Sequence, residues 1–269
     1  MNKKKFEVPY NFETEYLDRI LELKEYFEYI KFIYMPAFDE NYLQNTREET
    51  IYPSVERSIN YKNWDNYLNI IKGFQSIGLD ICILIQRNAS LKLVEKYINL
   101  GIKYFVINDD QLAKTIKKKY KDIYLILSIT RNLSYDDIFN EDLSMYDEIV
   151  LMFWFNRHLQ YIKKLPTKYK YAILANSECN YKCTVFKEHW WNKIRGEKFS
   201  KCPCNAKDTI KIYVDDLIYF DKYIESFKLT DRAFQTKDII SILKLYLPAY
   251  KNINDVKFDI EKEKHYCLE

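Results

Sequence analysis

Four stretches set the rhythm of this chain: DICILIQ at Asp80–Gln86, LKLVEKYINL at Leu91–Leu100, KYFVI at Lys103–Ile107 and IYLIL at Ile123–Leu127. The first, third and fourth are short runs of apolar, mostly β-branched and aromatic residues without polar alternation. That pattern is expected of strands covered on both faces. The second carries apolar residues at helical spacing and stops at Gly101, a residue that accepts the positive φ of a helix C-terminus. A further helical pattern spans Asp110–Lys119. Strand, helix, strand, helix, strand is the grammar of a parallel sheet.

The same alternation extends in both directions. Toward the N-terminus, Phe12–Ile30 and Trp64–Gln75 have helical spacing, with a strand at Lys31–Met35 closed by Pro36 between them. Toward the C-terminus, Ser134 N-caps a helix to Asn140, followed by a strand over Glu148–Phe153, a helix over Arg157–Lys164 and a strand over Lys170–Leu174. A polar and aromatic insertion, Ala175–Asp208, then precedes a strand at Ile210–Val214, a helix at Asp215–Tyr223 and a strand at Ser226–Leu229. A last helix, Thr236–Tyr246, is expected to end before Pro248. Eight βα units in about 250 residues fit a single TIM-like (β/α)8 barrel over residues 1–269, with the cysteine-bearing insertion after its sixth strand. An open doubly wound sheet is the rival arrangement.

Composition narrows the chemistry. Forty-two Lys and Arg against 39 Asp and Glu leave a net charge of +3, too little to argue for DNA or a membrane surface. The longest apolar run, Ile149–Phe155, is far short of the roughly 20 residues a membrane helix needs. No apolar leader follows the basic start, so the expected location is the cytoplasm. Only four glycines occur, Gly73, Gly78, Gly101 and Gly196, so no dinucleotide-binding glycine loop can be drawn. Gly73 and Gly78 have P-loop spacing, but Leu79 and Asp80 stand where Lys and Ser/Thr are required.

Four of the six cysteines fall in the insertion: Cys179 and Cys183, an eighteen-residue gap, then Cys202 and Cys204 around Pro203. In a reducing compartment such a cluster points to metal or cluster ligation rather than disulfides. Four thiolates suit a 4Fe–4S cluster or zinc equally, and His189 is an alternative ligand for a Cys3His zinc set. Phe186 occupies the third ligand position of a radical-SAM spacing, and zinc-ribbon knuckles are absent. Cys82 reads as a core residue inside a strand, and Cys267 as a tail residue.

Polar residues at strand ends would converge over the barrel mouth. They include Asn88, Asp109, Arg131, Asn132 and Arg232, each of which also suits a helix cap or turn. Lys228 lies inside the apolar strand Ser226–Leu229 and needs either a counter-ion or an outlet into the mouth. Lys228 and Arg232 are the leading candidates for holding an anion.

Val214-Asp-Asp-Leu217 leading to Ser226-Phe-Lys-Leu-Thr-Asp-Arg232 resembles a signature of the collagenase-like peptidase family (U-thirty-two). The similarity extends to its UbiU/UbiV-type iron–sulfur members. The cysteine loop and the Cys-Pro-Cys turn fall where that family keeps four cysteines. Ser128-Ile-Thr-Arg131-Asn132 stands at a family Ser-Thr-Gln segment, whereas Phe153-Trp154-Phe155 and Asn176-Ser177 depart from the pattern. The resemblance implies a TIM-like barrel with a 4Fe–4S cluster and oxygen-independent hydroxylation of a small molecule or RNA base, with or without a partner subunit. A non-catalytic, metal-stapled binding or partner protein is the alternative, and a peptidase-like hydrolase a further one. No Ser/His/Asp set stands out for the last of these.

Overall fold

A computed structural model describes residues 4–38, 63–85, 89–177, 210–230 and 235–267. Its eight strands are β1 Phe6–Pro9, β2 Ile30–Pro36, β3 Ile81–Leu84, β4 Tyr104–Ile107, β5 Tyr124–Leu127, β6 Glu148–Val150, β7 Lys170–Leu174 and β8 Ser226–Lys228. They form a closed barrel in chain order, every neighbouring pair parallel. The closing pairs are Phe6 with Phe227 and Glu7 with Lys228. The expected TIM-like barrel is therefore the fold, and the open doubly wound sheet is not.

The strand set differs from expectation at two places that cancel in the count. Phe6–Pro9 is a strand that its sequence conceals, because a charged residue sits in the middle of only four and a proline ends it. Ile210–Val214 is not a barrel strand. It runs beside the end of β7, where the Ile212 amide donates to the Ala175 carbonyl at 2.9 Å, and then turns into helix. Lys170–Leu174 is consequently the seventh strand, and the cysteine-bearing insertion follows β7 rather than the sixth. Glu148–Phe153 also shortens: the strand ends at Val150 and Phe153–Arg157 is a 3-10 turn.

The helices follow local chemistry closely. Asp110–Lys119 starts on Asp109, whose carboxylate accepts from the Leu112 amide at 3.0 Å, and ends on three lysines that complement its carbonyl end. Leu91–Ile98 is N-capped by Ser90, and Gly101 beyond it takes φ +82° as expected. Ser134 and Asp137 form a reciprocal capping box on Tyr135–Asn140. The Phe12–Ile30 segment divides into an α-helix, Tyr16–Leu21, and a 3-10 helix, Lys24–Tyr29. The last helix, Thr236–Lys251, continues through Pro248. The lost hydrogen bond is tolerated because the buried face runs on past it, with Tyr250 buried and its ring 5.4 Å from that of Phe6. No helix among the described residues is long and apolar enough to cross a membrane.

Outward-facing strand residues such as Ile83, Phe105, Leu125 and Ile173 pack under the helices, all fully buried. Inward-facing residues come in layers from alternate strands. Following the strand register around the barrel puts Phe32, Tyr104, Glu148 and Ser226 in a lower layer. Glu7, Cys82, Ile126 and Ala172 form the middle one, and Tyr34, Val106, Val150 and Lys228 the upper one.

Candidate functional site

The barrel interior is part hydrocarbon and part salt. Glu7, Glu148 and Ser226 have no exposed surface, Lys31 has 4% and Lys228 has 8%. Unsolvated charges at such depth would be prohibitive, so each finds a polar partner. Lys228 Nζ donates to Glu7 Oε2 at 2.7 Å and sits 3.9 Å above the centre of the Tyr34 ring. Lys31 Nζ donates to Glu148 Oε2, and lies 3.4 Å from Ser226 Oγ. Ser226 Oγ joins the two pairs, 2.7 Å from Glu7 Oε1 and 2.6 Å from Glu148 Oε1.

Lys31 reaches this cluster because the β1–β2 register slips between Phe6 and Glu7, opposite Ile30 and Phe32. The bulge brings Lys31 to the interior beside Phe32. The two glutamates respond differently to their surroundings. Burial raises the Glu7 carboxyl, but the Lys228 and Lys31 ammonium groups outweigh it and hold its pKa below the ordinary value. Burial raises Glu148, and the Lys31 ammonium does not offset the combined effect of burial and Glu7, leaving its pKa above the ordinary value. The Tyr124 hydroxyl is buried without a hydrogen-bond partner among the described residues, and burial together with the Glu148 charge pushes its pKa up. Burial likewise raises the Cys82 thiol, an inert core residue as its sequence suggests.

Above the salt cluster, short polar side chains tie the strand ends together. Asn176 Oδ1 accepts from the Thr230 amide at 2.6 Å and from its hydroxyl at 3.2 Å, joining the ends of β7 and β8. Asn108 Nδ2 donates to Thr130 Oγ1 at 3.0 Å, joining those of β4 and β5. Buried Asn11, beyond β1, exchanges hydrogen bonds with Thr236 at 3.1 and 3.3 Å. Phe12 beside it takes φ +64°, uncommon for a bulky residue.

The cysteine-bearing insertion leaves and re-enters the fold at one pinned place. Asn156, fully buried after β6, donates from Nδ2 to the Leu174 carbonyl at 2.6 Å and to the Ile210 carbonyl at 3.0 Å. The Tyr246 hydroxyl donates to the Ile212 carbonyl at 2.7 Å, and the Ala175 amide to the Lys228 carbonyl at 3.0 Å. Residues on both sides of the insertion are thus bonded to one another and to β8 at the mouth. Asn156 Oδ1 has no hydrogen-bond partner among the described residues.

The sequence-predicted residues divide into three groups. Lys228 lies within the barrel and has a counter-ion in Glu7. Asp109, Arg131 and Asn132 are each used structurally. Asp109 caps a helix, and Asn132 ends a 3-10 turn at φ +59°. Arg131 Nη2 bonds Asp110 at 3.1 Å and Glu141 at 2.9 Å. Cys179, Cys183, Cys202, Cys204, His189, Asn88 and Arg232 lie outside the described residues. Among the described residues no group of three His, Cys, Asp or Glu side chains converges as a metal site. Glu7, Lys31, Glu148 and Ser226 were invisible as a group. The one signal was charge inside or next to apolar runs, at Glu7, Lys31 and Glu148 as at Lys228.

No protein-family profile matches the sequence, and no curated protein matches it. Solved structures do. The U32 peptidase Mk0906 superposes with a TM-score of 0.55 at 12% identity, over 86% of this chain and 94% of that one. The YdjI aldolase from Escherichia coli K12 gives a TM-score of 0.47 at 8% identity, over 99% of this chain and 88% of the aldolase. The resemblance to the collagenase-like peptidase type thus holds in the fold.

Proposed function

We propose that this chain is an iron–sulfur barrel protein of the collagenase-like peptidase type, working in the cytoplasm on a small molecule or an RNA base. Cys179, Cys183, Cys202 and Cys204 would hold a 4Fe–4S cluster, and the reaction would be an oxygen-independent hydroxylation or related modification. The observation that carries this reading is the pinned root of the insertion. Asn156 and the Ala175–Ile212 bond fix the chain on both sides of the four cysteines at the C-terminal mouth of the barrel, the face on which barrels of this kind carry their chemistry. Four thiols form a donor set that satisfies a cubane cluster, and no rival set of ligands converges among the described residues. Such a cluster supplies one-electron transfer when bound. The chain's own residues supply a basic group in the upper layer of the barrel interior, Lys228, oriented by Glu7 and Tyr34, with Asn176 and Thr230 locking the adjacent strand ends.

Anaerobic purification of the full chain tests the proposal. A brown protein with broad visible absorbance, four irons and four labile sulfides is expected, with loss of colour on Cys→Ser substitution at any of the four positions. A colourless anaerobic preparation with stoichiometric zinc overturns it.

A second reading, a non-catalytic partner or binding protein stapled by its metal, is favoured by the structural use of Asp109, Arg131 and Asn132. It expects the Cys→Ser variants to lose stability without any substrate-dependent change in the metal spectrum. For the hydrolase reading, no histidine–serine contact is seen among the described residues, where His158 faces the Tyr161 ring and His265 faces Arg157.

A further inference from the structure

The Ser226 hydroxyl stands between two carboxylate oxygens, at 2.7 Å from Glu7 Oε1 and 2.6 Å from Glu148 Oε1. A hydroxyl has a single hydrogen to donate, although its oxygen accepts two. If both glutamates were ionised, one of these contacts would set two oxygens face to face with no hydrogen between them. All three residues are wholly buried, so water does not screen that repulsion. One more hydrogen is needed to satisfy the geometry.

We infer that Glu148 is a neutral carboxylic acid at neutral pH, donating from Oε1 to Ser226 Oγ while Ser226 donates to Glu7 Oε1, so that Glu148, Ser226, Glu7 and Lys228 form a proton relay ending at the barrel mouth. The groups facing Glu148 agree with this. Lys31 from β2 donates to its other oxygen, Glu7 from β1 repels its charge, and Tyr124 from β5 and Cys82 from β3 are uncharged. Lys170, paired with Glu148 in register from β7, is engaged by Glu225 at 3.3 Å. The directions in which burial and charge move the two carboxyls, Glu148 up and Glu7 down, have the same sense.

The relay balances. When the Lys228 ammonium gives a proton to an anionic ligand in the mouth, Glu148 Oε1 passes its hydrogen to Ser226 Oγ as Ser226 passes its own to Glu7 Oε1. A half-turn of the Glu7 carboxyl about Cγ–Cδ then carries the protonated oxygen to the position 2.7 Å from Lys228 Nζ, and it returns the proton there. Lys228 is again an ammonium, Glu7 again a carboxylate, and Glu148 is left ionised against the Lys31 ammonium. Lys31 thus stabilises the discharged state, and the reverse sequence reloads it. The resting interior carries one more ammonium than carboxylate, which favours an anion as the ligand. None of this depends on the cluster, so it can fail or hold independently of the proposed function.

Infrared difference spectroscopy of the full chain, in H2O and D2O with and without glutamate 13C-labelling, tests it. At neutral pH a carboxylic acid C=O stretch is expected, sensitive to both isotopes. It should vanish in Glu148→Gln and move to higher frequency in Ser226→Ala, where the acid loses its acceptor. A wild-type spectrum without a protonated carboxyl overturns the proposal, even if no variant folds. So does a band that Glu7→Gln removes and Glu148→Gln leaves.

Discussion

The two sides of the barrel interior are built on opposite principles. Around β3, β4 and β5 the inward residues are Cys82, Leu84, Tyr104, Val106, Tyr124 and Ile126, a sector held together by shape and dispersion. Around β8, β1, β2 and β6 the interior contains Ser226, Lys228, Glu7, Lys31 and Glu148, held together by mutual compensation of charge. The apolar sector tolerates change in proportion to the volume removed. The charged sector does not, because removing one partner strands another in a medium that cannot solvate it.

The strongest way to break this contrast is Lys228→Met, which leaves the Glu7 carboxylate without its bonded cation. A loss of about 4 kcal/mol is expected in urea unfolding. Lys31→Met sharpens the point, since Glu148 already holds a proton in the proposed resting state; a smaller loss than that of Lys228→Met is expected in the same assay. Ile126→Ala probes the apolar sector and should cost about 3 kcal/mol, with the unfolding transition still cooperative.

Acid should separate the sectors further. The Glu7 carboxyl has its pKa lowered on folding, so the stability it contributes is present above the ordinary carboxylate value of 4.5 and lost as pH falls through its folded value. Glu148 has the opposite sign: its contribution is complete below 4.5 and is lost as pH rises through its raised folded value. Lys228→Met should therefore flatten the acid limb of the stability profile, and Ile126→Ala should shift the whole curve without changing its slope. Outside both sectors, Ser134→Ala removes the capping box of Tyr135–Asn140 and should cost only about 1 kcal/mol by thermal unfolding.

Much of the outer barrel was legible because its signals are local. Asp109, Ser134 and Gly101 act on amides or turns within a few residues, so a sequence window contains cause and effect together. The departures from expectation also have local causes. Ile210–Val214 has strand composition, but the place expected for it between Lys170–Leu174 and Ser226–Leu229 is closed, because β7 and β8 pair directly. β1 itself was hidden by Glu7, a residue whose presence in a buried strand makes sense only with a cation beside it. For the candidate site, the cysteines stand out by clustering in sequence. Asn156 and Asn176 carry no such mark, because what they bind are backbone groups of distant strands.

The sequence by itself determined the class of architecture: apolar runs too short for helices and too continuous for one-sided sheets, alternating with amphipathic segments, leave a parallel barrel or an open parallel sheet. Only the tertiary structure decided between closure and openness, and closure decided the electrostatics. Lys31 meets Glu148 across 117 residues of chain, and Glu7 meets Lys228 across 221. No local pattern encodes such pairs. They form because a closed ring joins its first strand to its last and faces β2 with β6 across the interior, and because polar groups excluded from water must find one another there.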